Sequence, residues 1–176
     1  MKKVLKFAGI ISAALALVGF VLLMVTPVAT AVGGWTGTKY YYGGLNAIFA
    51  SGNYTLVNGS SSLTQAFDGK LAWSALLAWI FVLIALIILL LGIILPLLKV
   101  KALDKFAGIL NLVAVCLLIV AGIFAFISKA VFISANDGKP ADFAIGAGWV
   151  IGGILLIAGG VMAILPAAVD FIGKKK

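Results

Sequence analysis

Hydrophobic residues along this chain are grouped in long uninterrupted runs. The longest, from Leu71 to Leu98, contains no charged residue. As a helix it would rise roughly 40 Å at about 1.5 Å per residue, which exceeds the ~30 Å hydrocarbon core of a bilayer. The pattern therefore predicts a transmembrane helix that is long enough to tilt.

Three further apolar runs make the same prediction, so we expect four membrane spans. We place these spans at 7–26, 71–98, 106–127 and 143–168. Polar segments at 33–70 and 128–142 form the predicted outer loops. The expected fold is an all-α transmembrane four-helix bundle in a single integral membrane domain, 1–176, with a small extracellular antiparallel β-sheet in the first outer loop.

A signal peptide is the alternative for the first run, because lysines precede it and Ala29-Thr30-Ala31 follows it as a small-residue cleavage motif. The run from Phe7 to Val25 is, however, longer than the ~7–15 residues of a signal-peptide apolar region. We therefore expect an uncleaved first span.

The first outer loop alternates between apolar and polar residues, as a half-buried sheet does. We predict extended runs at 35–42, 45–49 and 54–57. Asn58-Gly59 follows the last run and is a hairpin signal, since both residues tolerate positive φ. These features predict an antiparallel sheet of three or four strands on the outer side of the membrane.

The end of the first outer loop leads into the second span. We predict a short helical lead-in over 62–70, with Asp68 as the N-cap of the second span. The tyrosines 40–42 are expected near the lipid headgroups, where amphipathic rings are favoured.

Small residues indicate where the spans pack. The first span carries a small-residue stripe that includes Gly9 and Ala13, and the fourth span carries the GxxxG pair Gly148 and Gly152. We expect the fourth span at the close-packed centre and the Leu/Ile-rich second span facing lipid. Asn111 is expected to hydrogen-bond a neighbouring helix. The candidate helix-packing residues are Gly9, Ala13, Asn111, Gly148, Gly152 and Gly159.

The distribution of lysines along the chain predicts the orientation of the spans in the membrane. The 13 basic residues are all lysines, and the net charge is +8. Nine lysines lie at the N-terminus, the middle connection and the C-terminal tail, whereas four lie in the outer loops. The positive-inside rule therefore predicts that both termini are cytoplasmic, and we expect a multi-pass protein of the plasma membrane. The lysines flank spans, so we expect anchoring rather than anionic-lipid recognition, and no nucleic-acid partner.

Residues that could carry out chemistry are scarce. The chain has no His or Glu, and its single cysteine, Cys116, lies in an apolar run. Asp68, Asp137 and Asp142 could together bind calcium, but helix caps and turns explain them more simply. We therefore predict no enzymatic activity, no cofactor and no metal site.

Two halves of the chain resemble each other. The residues 6–10 and 105–109 are the same five, Lys-Phe-Ala-Gly-Ile, and each set opens an outward span. Asp-Gly-Lys precedes both the second and the fourth span. We interpret these matches as a tandem repeat of two helices, with the sheet as an addition to the first half.

Two classes of function remain. In the first, the protein acts by assembly or recognition, and its outer sheet binds another membrane protein or a second copy of the same chain. The lipid bilayer surrounds the spans and is a partner as well. In the second, several copies surround a pore as a small homo-oligomeric channel. The candidate interaction surface consists of Trp35, Tyr40, Tyr41, Tyr42, Leu45, Phe49 and Tyr54.

The layout of four spans, cytoplasmic termini, a long first outer loop and a short second one resembles the claudin and peripheral myelin protein superfamily. Trp35 and Gly44-Leu45 match that family's first-loop motif, whereas Asn46 replaces its second Trp and both of its cysteines are missing. Gln65-Ala66 is similar to its short extracellular helix. The resemblance implies lateral self-assembly through the outer sheet and contact with neighbouring membrane proteins or cells.

Overall fold

A computed structural model describes residues 2–33, 37–94, 101–139 and 142–172. It is mostly helical. Within these ranges the helices are α1 (Lys2–Val25), α2 (Gly44–Phe49), α3 (Trp73–Ile94), α4 (Lys101–Ala135) and α5 (Ala147–Ile172).

Four of these helices are long and apolar enough to cross a membrane, as the hydrophobic runs predict. Their membrane-length stretches are Phe7–Val25, Trp73–Ile94, Gly108–Ala135 and Ala147–Leu165. The α4 helix continues to Ala135, so the first eight residues of the predicted second outer loop are helical. The end of the predicted second span, 95–98, lies outside the described residues.

The long helices pack in a defined order. The α5 helix lies against both α1 and α4, and α3 lies against α4, while the contact between α1 and α3 is smaller. Small and branched side chains fill the space between them, and Ala16, Val82, Leu118 and Leu156 are all fully buried.

A small antiparallel sheet forms, as predicted, and four of its described strands lie between α1 and α3 in the sequence. The prediction of three or four strands is wrong, because a fifth strand from near the start of α5 joins this sheet. Its described strands are β1 (Pro27–Gly33), β2 (Thr38–Gly43), β3 (Asn53–Asn58), β4 (Ser61–Ala66) and β5 (Ala144–Ile145), in the order β4-β3-β2-β1-β5. A hairpin does follow Asn58, but its two turn residues are Gly59, with φ of 58°, and Ser60, because Asn58 is still in β3 and pairs with Ser61. The strand β5 pairs with β1 and lies within the predicted fourth span, 143–168, so the helical start predicted for that span is wrong: α5 begins at Ala147, because the residues before it join the sheet.

The prediction of a strand at 45–49 is wrong, because these residues belong to the helix α2. Leu45, Ile48 and Phe49 have the i, i+3, i+4 spacing of a helix. The side chain of Asn46 also accepts a hydrogen bond from Gly43 N at 2.8 Å, which closes the first turn. The strand β1 was not anticipated; it begins at Pro27, directly after the first helix.

The prediction of a helical lead-in at 62–70 is also wrong. Residues Ser61–Ala66 form β4, so Gln65 and Ala66 lie in a strand rather than in a short helix. Asp68 is not the N-cap of the second span, because α3 begins only at Trp73. A tight hairpin after β3 supplies β4 with a partner strand, and this pairing outweighs local helix propensity.

Candidate interaction surface

Neighbouring strands of the sheet align their side chains in rows across it. One row runs Ala29, Tyr42, Tyr54, Gln65, and the same face carries Ala31, Tyr40, Leu56 and Leu63. The opposite face carries a row of Thr30, Tyr41, Thr55 and Thr64. Because side chains alternate along a strand, Tyr41 lies on a hydroxyl-rich face, while Tyr40 and Tyr42 share the other.

The Tyr42 side chain packs between the sheet and the helices. Its ring centroid lies 5.7 Å from that of Phe132 in α4, 6.1 Å from Phe143 and 6.2 Å from Phe67. Tyr54 stacks on it at 5.4 Å. We call these five rings the aromatic cluster. It shows that the face bearing Tyr42 is turned toward the helix ends.

Burial raises the pKa of the Tyr42 phenol above its ordinary value, and the neighbouring Tyr54 and Tyr40 add to the effect. Burial disfavours the charged phenolate, and nearby tyrosinates would repel it. The ring therefore behaves as a packing group with a neutral hydroxyl.

The remaining predicted surface residues are dispersed. The half-buried Tyr40 ring covers Gly33, where a Cβ would lie 2.9 Å from it. Tyr54 is half-buried and hydrogen-bonded to Gln65. Leu45 and Phe49 are exposed, but they lie on α2 rather than in the sheet. Trp35 lies outside the described residues.

Tyr41 lines a shallow depression on the opposite face. The depression has a volume of about 310 Å³, and Lys39 and Asp142 lie on its wall with Thr30 and Ala144. It joins β1, β2 and the region just before β5. Such an open and mixed lining indicates a surface feature rather than an enclosed ligand site.

The two edges of the sheet differ. All six residues of β4 are exposed, and the strand contains no charged residue and no proline. The other edge strand, β5, has two residues, and a single residue separates it from the start of α5. Native sheets usually protect a long edge with lysine, proline or a bulge. The β4 edge carries neither of those residues.

The predicted packing glycines of α5 lie against α1. A Cβ on Gly152 would be 3.3 Å from the carbonyl oxygen of Gly19, and one on Gly159 would be 3.2 Å from that of Ser12. Ser12 Oγ donates a hydrogen bond to the Gly159 carbonyl at 2.7 Å. Gly148 packs on the side chain of Thr26, where a Cβ would overlap it.

The first span's Gly9 faces α3, since a Cβ on it would lie 4.0 Å from Ile93 Cγ1, and Ala13 is half-buried. Asn111 is buried in α4, and a Cβ on Gly92 of α3 would lie 2.5 Å from its Oδ1. Asn111 therefore occupies the α3–α4 interface. Its hydrogen bond to a neighbouring helix stays a prediction.

A second glycine face on α5 was not selected from the sequence. Gly153 packs against Gly122 of α4, and Gly160 packs near the carbonyl oxygen of Val115. The consecutive glycines at 152–153 and 159–160 are the sequence feature that could have indicated this second face. One glycine of each pair faces α1 and the other faces α4, so α5 approaches both neighbours closely.

Two side-chain amides with structural roles were also missed. Asn136 accepts a hydrogen bond from Lys70 N at 2.7 Å and donates one to the Lys70 carbonyl at 2.9 Å, which joins the end of α4 to the segment before α3. Asn46 is buried in α2 and bonds the backbone at both ends of that helix. In the sequence alone, Asn46 is notable only because it replaces the second Trp of the first-loop motif.

Trp149, in the first turn of α5, and Trp79, in the second turn of α3, have different environments. The fully buried Trp149 donates from Nε1 to the Thr26 carbonyl at 3.3 Å. Trp79 contacts Phe20 and Phe49, and the described residues provide no hydrogen-bond partner for its buried Nε1. Trp79 thus packs as a hydrophobic ring between α1, α2 and α3.

No group of three potential metal-ligating side chains comes together among the described residues. A scan against protein families finds no match for this chain, and a search of curated proteins finds none either. The geometry of the sheet and helices is therefore the basis for the functional proposal.

Proposed function

We propose that this chain is a non-enzymatic, multi-pass protein of the plasma membrane that acts by lateral assembly through its sheet. In this proposal the four long helices form a transmembrane bundle, both termini are cytoplasmic, and the sheet lies on the extracellular side. The proposal extends to kinship with the claudin and peripheral myelin protein superfamily, whose layout the chain resembles.

The exposed β4 edge is the observation that carries this proposal. Among the described residues, no strand pairs with the outer side of β4, which is six residues long, and an edge of this kind is a template for strand addition. Because β4 contains no lysine or aspartate, two copies could align their edges without placing like charges opposite each other. We therefore propose a second copy of this chain as the partner.

A charge on the β4 edge tests the proposal. Thr64→Lys places a cation on the exposed strand, whereas Ser60→Lys adds the same charge in the neighbouring turn. Single-molecule photobleaching of labelled protein in liposomes counts the copies in each complex. We expect oligomers for the unmodified chain and for Ser60→Lys, and at least a tenfold weaker association for Thr64→Lys, which corresponds to about 1.4 kcal/mol.

Equal association of all three proteins would contradict assembly through β4. A disulfide between two copies of Thr64→Cys, in a Cys116→Ser background, would support the pairing directly. Ion conductance that depends on oligomers, with the β4 edge unpaired, would instead favour the channel alternative.

A further inference from the structure

The short helix α2 lies beside the last turn of α1. Gly44 N donates a hydrogen bond to the Thr26 carbonyl at 3.0 Å. A Cβ on Gly44 would overlap the carbonyl oxygen of Leu23, so only glycine permits this approach. The first residue of α2 is thus in contact with the end of a membrane-length helix.

The other half of α2 lies beside the beginning of α3. Ala72 N donates to the Ala47 carbonyl at 2.8 Å, and the Phe49 ring lies 5.1 Å from that of Trp79. Trp79 is six residues after the start of α3 at Trp73, or about 9 Å along the helix axis at about 1.5 Å per residue. The α2 helix therefore lies alongside the first turns of α3 rather than above them.

Several backbone groups at the ends of α2 are paired within the protein. Asn46 is 1% exposed, and its Oδ1 accepts from Gly43 N at 2.8 Å while its Nδ2 donates to the Ser51 carbonyl at 2.7 Å. Ala50 N bonds the Asn46 carbonyl at 3.1 Å. Such internal pairing is what a segment needs where water is scarce, because an unpaired backbone group there is costly.

The exposed side chains of α2 are apolar. Leu45 and Phe49 are four residues apart and are 40% and 41% exposed. Val25, in the turn of α1 that α2 contacts, is 71% exposed. The chain contains no charged residue between Lys39 and Asp68. Leu17 and Val21 are also exposed, and with Val25 they recur at four-residue spacing along α1, which places them on one face of that helix.

We propose that α2 is inserted in the membrane interface, with Leu45 and Phe49 in contact with lipid acyl chains. The occupant of this apolar side is lipid, because α2 lies alongside helices long enough to span a bilayer and its buried Asn46 side chain is paired within the protein. The inference rests on the proposed membrane crossing. It assigns two of the predicted surface residues to lipid contact rather than to protein assembly, and it fixes the height of the sheet above the bilayer.

Spin-label accessibility in liposomes tests this assignment. Single cysteines replace Leu45, Leu63 and Leu17 in a Cys116→Ser background, and each label is exposed to oxygen, which concentrates in lipid, and to a water-soluble nickel chelate. All three side chains are exposed in the structure. We expect the Leu45→Cys and Leu17→Cys labels to favour oxygen and the Leu63→Cys label on β4 to favour the nickel complex.

If Leu45→Cys matches Leu63→Cys while Leu17→Cys still favours oxygen, α2 lies in water and the inference fails, although the membrane crossing stands. If Leu17→Cys also favours the nickel complex, the membrane crossing itself fails. Low access of both reagents to Leu45→Cys, with Leu17→Cys in lipid, would mean that protein covers α2 and would overturn lipid contact.

Discussion

Two regions of the molecule are packed by different means: the interfaces of α5 with its neighbouring helices, and the contact of the sheet with the helix ends. The α5 helix meets its neighbours through glycines, at which an added Cβ would lie only 3.2–3.3 Å from a backbone carbonyl oxygen of α1 or α4. The sheet meets the helix ends through five aromatic rings with centroids 5.4–6.2 Å apart. Glycines make the closest approaches of α5, whereas aromatic rings make the contacts of the sheet with the helix ends.

The solvent expected around each region explains the difference. In a bilayer, lipid tails are as apolar as leucine, so helices gain little from burying large side chains and more from close backbone approach. Outside the bilayer, water makes burial of aromatic surface favourable. The aromatic cluster also accounts for how the sheet can be held without a disulfide, since Cys116 is the single cysteine. The contrast is what we expect if the proposed boundary between lipid and water lies just below the sheet.

Loss of a central ring in the cluster is expected to have the largest effect. Phe132 is 1% exposed and contacts both Tyr42 and Phe67. Phe132→Ala leaves a cavity and should reduce the free energy of unfolding of the sheet by about 3–5 kcal/mol. Amide hydrogen exchange should show lost protection in β2 and β3 while α5 stays protected.

Phe106→Ala is the matched control for that change. Phe106 lies on the same helix but is 61% exposed, so its removal should leave exchange in the sheet as it was. Equal loss of protection in both variants would mean that the cluster does not hold the sheet.

Enlarging a packing glycine should have a smaller but distinct effect. Gly152→Leu inserts a side chain at a position where an added Cβ would lie 3.3 Å from both the Gly19 carbonyl oxygen and the Leu23 side chain. We expect about 1–3 kcal/mol of destabilisation by overpacking, measured as a lower melting temperature in detergent. The neighbouring Ile151→Leu, at a position 51% exposed, should melt as the unmodified protein does. Unchanged melting of Gly152→Leu would contradict close packing of α5.

The sequence predicts the long helices well because their signal is long and uninterrupted. Leu71 to Leu98 leaves no alternative to an apolar helix, and Asn58-Gly59 is a local hairpin signal that the structure confirms, with the turn itself at Gly59 and Ser60. The tandem repeat of two helices stays a prediction, as does the second span's contact with lipid.

The parts that sequence reasoning missed depend on contacts between distant residues. The residues of α2 become helical where Gly44 fits against α1 and Asn46 caps both ends, and neither contact is visible in a six-residue window. The strand β4 forms because β3 is available as a partner. Likewise β5 consists of two residues that pair with β1, more than 100 positions away in the sequence. Tertiary pairing of this kind overrides short-range patterns.

Labelling of single cysteines in intact cells tests the central claim, that the four helices cross the membrane and leave the sheet on the outer side. The experiment uses Asn58→Cys in the β3–β4 hairpin and Lys101→Cys at the start of α4, each in a Cys116→Ser background, with a membrane-impermeant maleimide. We predict that Asn58→Cys is labelled in intact cells and that Lys101→Cys is labelled only after the membrane is permeabilised. Labelling of both positions in intact cells would place them on one side and contradict the account.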